Sequence, residues 1–161
     1  MKAAVLTVSD GVAEGTRDDR SGDLLDELLA ADGYDIERRV VPDDRDAIAD
    51  ALASLADDPE TGLVLTTGGT GLGPRDVTPE ATMSVLERAA PGIAEAIRAD
   101  SIAKTAHGLL SRGIAGVRGS TLVVNLPGSP GGCRDGFAVL QPALKHALEL
   151  LAGEPTAHKQ T

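Results

Sequence analysis

The stretch TTGGTGLGPRDVTPEAT, residues 66–82, decides the fold that this chain of 161 residues is expected to adopt. It continues from the apolar run GLVLT, residues 62–66, which is typical of a buried strand. Its second half predicts a helix, with Thr78 as N-cap, Pro79 as the first helical residue and Glu80 in an acidic first turn. A strand, a glycine-rich loop and a capped helix in this order indicate an α/β protein.

Outward from this unit, short apolar runs alternate with amphipathic stretches. Strands are expected at residues 3–8, 34–41, 62–66, 114–118 and 121–125. Helices are expected from Ser21 to Gly33, from Asp43 or Asp44 onward, from Thr78 to about Ala90, over 92–104, and in a last region where Pro142 predicts a kink or a restart. Residues 10–20 and 105–113 read as loops. The alternation predicts a parallel sheet covered by helices on both faces, and a turn at Gly119-Ser120 would make the last two strands antiparallel.

Length and composition set further limits. We expect one domain over residues 1–152 and a flexible tail over 153–161. Cys133 is the only cysteine, and the sequence has neither a signal peptide nor 18 consecutive apolar residues, so the cytoplasm is the expected location and no membrane is expected as a partner. The net charge of −10 repels nucleic acid, so a phosphate ligand needs a local binding site.

Four loops follow the strands at the edge of a parallel sheet where ligands bind. They contain Ser9-Asp10, Pro42-Asp43, Gly68 to Val77, and Asn125 to Ser129. Gly68, Gly69 and Gly71 leave little side-chain bulk, so backbone N–H groups can approach an anion, and Arg75 can pair with a phosphate. The alternative is a tight turn that merely needs glycine. The loop matches neither the GxGxxG dinucleotide motif nor a Walker A loop.

Asp76 and Asp43 are the candidate metal ligands, because Mg²⁺ prefers oxygen ligands and needs only one or two carboxylates beside nucleotide phosphates. Each has a structural alternative. Asp76 could form an Asx-turn or cap ahead of Thr78, and Asp43 could cap a helix. The histidines show no metal-ligand spacing, and Cys133 is expected to be a core or helix-start residue and not a nucleophile.

Motifs spread over nearly the whole chain resemble those of the MogA/MoaB family of molybdenum cofactor biosynthesis proteins and the G domain of gephyrin. They are TVSD (7–10), DRSG (19–22), VVPDD (40–44), the stretch 66–82, LSR (110–112) and GIAGVRGSTLVVNLPGSP (113–130). The resemblance implies the molybdopterin-binding fold, a three-layer α/β sandwich whose mostly parallel sheet has an antiparallel edge strand. It also implies a homotrimer, or a hexamer as in some members. One departure is SPGGCRDG (129–136), which is glycine-rich where helix formers are expected.

The resemblance further implies an activity, the Mg-ATP-dependent adenylylation of molybdopterin with release of pyrophosphate. ATP and molybdopterin would be the substrates, Mg²⁺ the cofactor, and a MoeA-type protein the partner that later inserts molybdate. By motif, Asp43, Asp76 and Thr70 are the expected catalytic residues, with Asp43 and Asp76 on the metal. The expected substrate-binding residues are Ser9, Asp10, Gly68, Gly69, Gly71, Arg75, Ser101, Ser111, Asn125, Pro127 and Gly128.

Two other functions stay open at this point. The chain could be a non-catalytic molybdopterin carrier of the MoaB type, which binds the pterin without turnover. It could also be a nucleotide hydrolase resembling the CinA group, whose domains share the fold. The two alternatives differ from the first function in whether pyrophosphate release occurs and in whether it needs the pterin.

Overall fold

A computed structural model describes residues 1–153 of the chain; the tail expected over 153–161 lies, from residue 154 onward, outside the described residues. The strands are β1 (Lys2–Val8), β2 (Asp35–Val41), β3 (Thr61–Thr67), β4 (Arg88–Ala89), β5 (Ala115–Arg118) and β6 (Thr121–Leu126). The helices are α1 (Asp10–Ala13), α2 (Arg20–Ala31), α3 (Arg45–Ala56), α4 (Thr78–Val85), α5 (Pro91–Lys104) and α6 (Pro130–Leu151), with a 3₁₀ helix at Ala106–Leu110.

The strands form one sheet in the order β2-β1-β3-β6-β5-β4. Strands β2, β1, β3 and β6 are parallel, whereas β5 runs antiparallel to both β6 and β4. The predicted mostly parallel sheet with an antiparallel edge is therefore confirmed. The sequence pattern missed β4, which has only two residues, too few for a periodic signal.

Apolar side chains on both faces of the sheet give the three layers. Strand residues such as Val5 and Leu65 pack with α2, α5 and α6 on one face. Their neighbours Leu6 and Val64 pack with α3 and α4 on the other. Successive strand residues point to opposite faces, so a continuously apolar strand must be covered on both sides. The predicted three-layer sandwich is confirmed.

Several helix boundaries differ from the prediction. Asp19, not Ser21, caps α2, because its carboxylate accepts the Gly22 N–H at 3.0 Å. Of Asp43 and Asp44, the two residues predicted to open the next helix, Asp44 caps α3. The expected loop 10–20 begins with the short helix α1. Gly33 has φ +84° directly after α2 and its C-cap, and so ends the helix as predicted.

The third predicted helix begins at Thr78, one residue before the expected first helical residue Pro79, and ends sooner than expected. Val77 is the N-cap of α4 and makes no side-chain cap hydrogen bond, while the Thr78 hydroxyl donates to Gly68 O at 2.9 Å. The helix ends at Val85, not near Ala90, because the next backbone groups enter the sheet: Glu87 N–H donates to Val117 O at 2.9 Å. Pairing with β5 thus replaces the last helical turn.

The last helix runs without interruption from Pro130 to Leu151, so the predicted restart at Pro142 does not occur. The glycines at its start are explained by packing. A methyl group on Gly132 would lie 2.8 Å from Pro127 Cβ, and one on Gly136 would lie 2.9 Å from Leu126 Cδ2. Close contact with β6 and its following loop therefore requires glycine where helix propensity alone would disfavour it.

Candidate functional site

Two adjoining cavities open at the carboxyl edge of the parallel strands, where the four chemistry-bearing loops were expected to meet. The first, of about 610 Å³, is lined by Thr7, Val8, Ser9, Val12, Arg17, Asp18, Asp19, Arg20, Ser21, Asp43, Thr67, Gly68, Gly69, Asp76, Gly128, Ser129 and Pro130. The second, of about 530 Å³, is lined by Gly69, Thr70, Gly71, Asp76, Ser101, Lys104, Thr105, His107, Gly108, Leu110, Ser111, Pro127, Gly128, Ser129, Gly132 and Asp135. Gly69, Asp76, Gly128 and Ser129 belong to both linings, so the cavities share a wall.

The glycine loop, residues 68–77, supplies two of the four shared lining residues, Gly69 and Asp76. Gly68 has φ +98° and Gly69 has φ +68°, values that residues other than glycine rarely adopt. A Cβ at Gly68 would also collide with Val8 O, and one at Gly69 with Thr78 Oγ1. These two glycines are needed for the turn itself. The need for a tight turn does not exclude an anion site, because the same turn lies on the wall of both cavities.

Asp76 lies on the shared wall, and its position depends on the glycines around it. Its Oδ2 accepts the Gly73 N–H at 2.9 Å. A Cβ on either Gly71 or Gly73 would lie 2.9 Å from the same oxygen. Asp76 is not the helix cap that was its structural alternative, because α4 begins after Val77. The loop is therefore shaped around this carboxylate.

Asp43 and Asp10 clamp the ends of two neighbouring strands to each other. The Asp10 N–H donates to Asp43 Oδ2 at 2.9 Å, and the Asp43 N–H donates to Asp10 Oδ1 at 3.0 Å. Asp43 lines the first cavity, whereas Asp10 is absent from both linings. Asp10 therefore orients Asp43 in this structure.

The Arg75 guanidinium is already paired with the Asp10 carboxylate. Its Nε and Nη2 donate to the two Asp10 carboxylate oxygens at 2.6 and 3.1 Å, and Nη2 also donates to Asp43 O at 3.0 Å. This guanidinium lowers the pKa of Asp10. The Arg75 side chain is 64% exposed, so the pair is open to competition from a bound phosphate. Its predicted contact with a phosphate requires exchange of partners.

The second cavity contains Ser101, Ser111 and Thr70, as well as Lys104 and His107, which sequence reasoning did not assign. The Lys104 ammonium contacts Asp100 Oδ2 at 2.8 Å and Asp135 Oδ1 at 3.3 Å. These carboxylates, Asp100 first, raise the pKa of Lys104. The cavity thus offers hydroxyl groups and one ammonium group, whose charge is balanced by the Asp100 and Asp135 carboxylates. Ser9 lies in the first cavity, so the three serines expected to bind substrate are divided between the two cavities.

Asn125 does not line either cavity. It is 4% exposed, and its Nδ2 donates to Thr66 Oγ1 and Thr82 Oγ1, each at 3.0 Å. Its Oδ1 accepts the Ile114 N–H at 3.2 Å. These hydrogen bonds join β6 to β3, to α4 and to the residue before β5, and they occupy both the Nδ2 and the Oδ1 atoms of the side chain. Sequence alone did not separate a ligand-binding Asn in this motif from a buried structural one.

Pro127 and Gly128, which are lining residues, are held by side chains from other elements. Thr67 Oγ1 donates to Pro127 O at 2.7 Å, and the Cys133 thiol donates to the same oxygen at 3.0 Å. Ser21 Oγ donates to Gly128 O at 2.6 Å. Ser21, predicted as a helix cap, therefore helps to fix the loop that both cavities share.

The residues present suit Mg²⁺ more than a transition metal. Within residues 1–153, no group of three or more His, Cys, Asp or Glu side chains is arranged to hold a metal ion. Asp43 and Asp76 nevertheless both face the first cavity, and each has one oxygen fixed by a backbone N–H. Two carboxylates are enough for an ion that keeps several waters and binds substrate phosphates.

Comparisons with known proteins agree with this arrangement. Residues 4–146 match the family model described as a probable molybdopterin binding domain. The chain is 36% identical over 152 residues to the molybdopterin adenylyltransferase of Helicobacter pylori (strain J99), covering 92% of this chain and 86% of that protein. It is 46% identical to the molybdopterin biosynthesis enzyme MoaB of Thermus thermophilus, with a TM-score of 0.86 and coverage of 96% and 98%.

A third relative is much longer. The molybdenum cofactor synthesis protein cinnamon of Drosophila melanogaster is 38% identical over 159 residues, which cover 98% of this chain but only 26% of that protein.

Among the residues that the structure describes, no helix has the length and apolar character needed to cross a membrane.

Proposed function

Because this chain belongs to the family of probable molybdopterin binding domains, we propose that it is a molybdopterin adenylyltransferase acting in molybdenum cofactor biosynthesis. The observation that carries the proposal is the wall shared by two adjoining cavities, with the Asp76 carboxylate in it. A transferase with two large substrates needs both bound side by side, with their reacting groups at the junction. A carrier of one pterin needs only one of the cavities.

Among the residues that the resemblance assigns to substrate binding, Ser101 and Ser111 line the second cavity, which we assign to the pterin. The first cavity, which holds Ser9, Arg17 and Arg20, then takes the nucleotide. In this arrangement the pterin phosphate and the nucleotide phosphates meet at Gly69 and Asp76. The glycine loop presents backbone N–H groups there without adding negative charge.

In the proposed reaction, an oxygen of the terminal pterin phosphate forms a bond to the α-phosphorus of ATP. The bond from that phosphorus to the bridging oxygen breaks, and its electron pair leaves with pyrophosphate. A phosphomonoester has a second pKa of about 6 and is mostly dianionic at neutral pH, so no general base is required. The protein's task is to position two anions and to offset their repulsion.

Asp43 and Asp76 would hold Mg²⁺ in this proposal, and the ion would neutralise charge on the nucleotide phosphates. The chain's own residues do the rest. Asp10 holds Asp43 in place through a backbone N–H, and Thr70 lies in the second cavity beside the shared wall. We also expect a cytoplasmic homotrimer whose product passes to a molybdate-insertion protein of the MoeA type.

The first prediction concerns Asp76. In Asp76→Asn the side-chain oxygen can still accept the Gly73 N–H, so the loop should keep its shape while the negative charge is lost. We expect pyrophosphate release from molybdopterin and Mg-ATP to fall by roughly a hundredfold or more, which is a typical loss for a group that stabilises transition-state charge. Pterin affinity should stay close to that of the unmodified protein.

Asp44→Asn is the matched control. Asp44 lies beside Asp43 but caps α3, and Asn is an equally good cap, so this variant should keep full activity. Full activity in Asp76→Asn would refute the assignment of Asp76. Pterin binding with no pyrophosphate release by the unmodified protein would indicate a carrier. Nucleotide hydrolysis without pterin would indicate a hydrolase.

A further inference from the structure

Arg112, which follows Ser111 after the 3₁₀ helix, contacts the glycine loop at four points. Its backbone N–H donates to Thr70 O at 2.8 Å. Its side-chain Nε donates to Gly71 O at 2.8 Å, and Nη2 donates to Asp76 O at 2.7 Å. Nη1 forms an ion pair with Glu80 in the first turn of α4. One residue therefore closes the loop from residue 70 to residue 80.

We propose that Arg112 is a positioning residue for adenylyl transfer, which holds the main chain at Thr70 and Asp76 so that both cavities keep one rigid shared wall. This inference rests on the proposed function for its catalytic consequence. Arg112 does not belong to the lining of either cavity, so it would act through the loop and not by touching a substrate.

The shape of the guanidinium is what this arrangement requires. Three nitrogens of one planar group point in fixed directions, so a single side chain can bond two carbonyls and a carboxylate at the same time. Glu80 balances the charge, and the guanidinium in turn lowers the pKa of Glu80. A lysine at this position would keep the positive charge but could not reproduce the three-way fork.

The same residue links the two substrate sides. Ser111 lines the second cavity, and its carbonyl accepts Arg98 Nη1 at 3.0 Å. Arg112 then joins this segment to the main chain of Asp76, which also faces the first cavity. Without this link, the Ser111 segment and the Asp76 segment would be held together less firmly.

Arg118 provides a matched control. Its Nε and Nη2 donate to the Asp57 carboxylate at 2.8 and 2.9 Å, and its Nη1 donates to Val85 O at 3.1 Å. It therefore makes the same kind of fork to a carboxylate and a carbonyl, but at the end of β5 away from both cavities. R118K removes a comparable fork without touching the glycine loop.

The experiment compares R112K and R118K with the unmodified protein. Amide hydrogen exchange over residues 70–76 is measured without ligand, and kcat, pterin affinity and the Mg²⁺ concentration for half-maximal activity are measured with molybdopterin and ATP. R112K should exchange faster in this loop, lose on the order of tenfold to a hundredfold in kcat, and need more Mg²⁺, with pterin affinity changed by no more than about twofold. R118K should change none of these.

Exchange and kcat equal to those of the unmodified protein in R112K would overturn the inference. Equal losses of kcat in R112K and R118K would also overturn it, because the effect would then be one of general stability. If R112K does not fold, E80Q removes the balancing charge and should accelerate exchange in the same loop; unchanged exchange there would count against the inference. An unmodified protein without turnover would refute the proposed function, while the exchange result would still decide whether Arg112 fixes the loop.

Discussion

Cys133 shows how one buried side chain supports the site without taking part in the chemistry. The thiol is fully buried at the start of α6 and donates to Pro127 O. Burial raises its pKa to about 11. A thiol that stays protonated at neutral pH is a weak nucleophile, so its contribution is the contact with the loop at residue 127. This agrees with the prediction that Cys133 is a helix-start or core residue.

The buried Cys133 thiol makes the stability of the fold depend on pH. The thiol has a folded-state pKa of about 11 against an ordinary value of 9.0, so the neutral form is favoured in the folded protein. Its stabilising effect is therefore complete below about pH 9 and is lost as the pH rises toward 11. Urea unfolding at pH 8 and pH 10.5 should show a larger fall in the free energy of unfolding for the unmodified protein than for Cys133→Ser.

Other groups titrate in the same window, and the comparison removes them. Burial raises the pKa of Tyr34, and carboxylate partners raise the pKa of Lys2. The titration of these two groups therefore lowers the free energy of unfolding of both proteins as pH rises. The difference between the two proteins isolates the thiol. The same pH dependence in both would contradict the assigned burial effect. In the native protein at pH 8, the thiol should also resist a soluble disulfide reagent until urea exposes it.

At the scale of elements, α6 explains why a glycine-rich segment can begin a helix of 22 residues. Ser129 Oγ accepts the Gly132 N–H at 3.1 Å and so caps the helix. Gly132 allows the first turn to lie directly against Pro127, which belongs to the wall of the second cavity. The packing of the long helix against its preceding loop thus also shapes the site.

A pair of alanine substitutions tests this account. In Gly132→Ala the added methyl would lie 2.8 and 3.0 Å from two atoms of the rigid Pro127 ring, so the loop must move. We expect a loss of about 1–3 kcal/mol in the free energy of unfolding, as for other overpacked sites, and a lower rate of adenylyl transfer. Both are measured by urea unfolding and by pyrophosphate release.

Gly131→Ala is the control for the same helical turn. Nothing lies within 4 Å of an added methyl there, so the variant should gain up to about 1 kcal/mol from helix propensity. Equal effects of the two substitutions would show that propensity, and not contact with Pro127, governs this turn.

At the scale of the whole molecule, a net charge of −10 surrounds a site that must take up two anions. The local features that favour anions are few: the glycine loop, Arg17 and Arg20 in the first cavity, and Lys104 in the second. These short-range contacts act after the ligand has arrived, whereas the net charge acts on its approach. The two contributions should respond differently to salt.

We therefore predict that salt accelerates the association of ATP. Raising NaCl from about 20 to 150 mM shortens the screening length from roughly 20 to 8 Å and weakens the long-range repulsion between the protein and the nucleotide. The association rate constant, measured by stopped flow in excess Mg²⁺, should rise severalfold. Sodium acetate of equal ionic strength should give the same result. A rate that falls with salt would show that the arginines of the first cavity control the approach.

The sequence was sufficient to predict the order of the longer strands and helices and the family, because both depend on local periodicity and on motifs of consecutive residues. The glycine loop illustrates this: its position after β3 and before α4 followed from residues 62–82 alone. Gly33 as a helix stop and the antiparallel turn at Gly119-Ser120 were equally local, and both were confirmed.

Tertiary structure decided what each side chain does. Asn125 and Ser111 stand in equally suggestive motifs, yet Asn125 is buried in bonds to Thr66 and Thr82 while Ser111 lines a cavity. Arg75 and Arg112 also have different roles: the Arg75 guanidinium pairs with the Asp10 carboxylate, whereas the Arg112 guanidinium bonds the main-chain carbonyl of Asp76 in the glycine loop. Such roles depend on contacts between residues tens of positions apart, whose distances follow from packing and from no local pattern of residues.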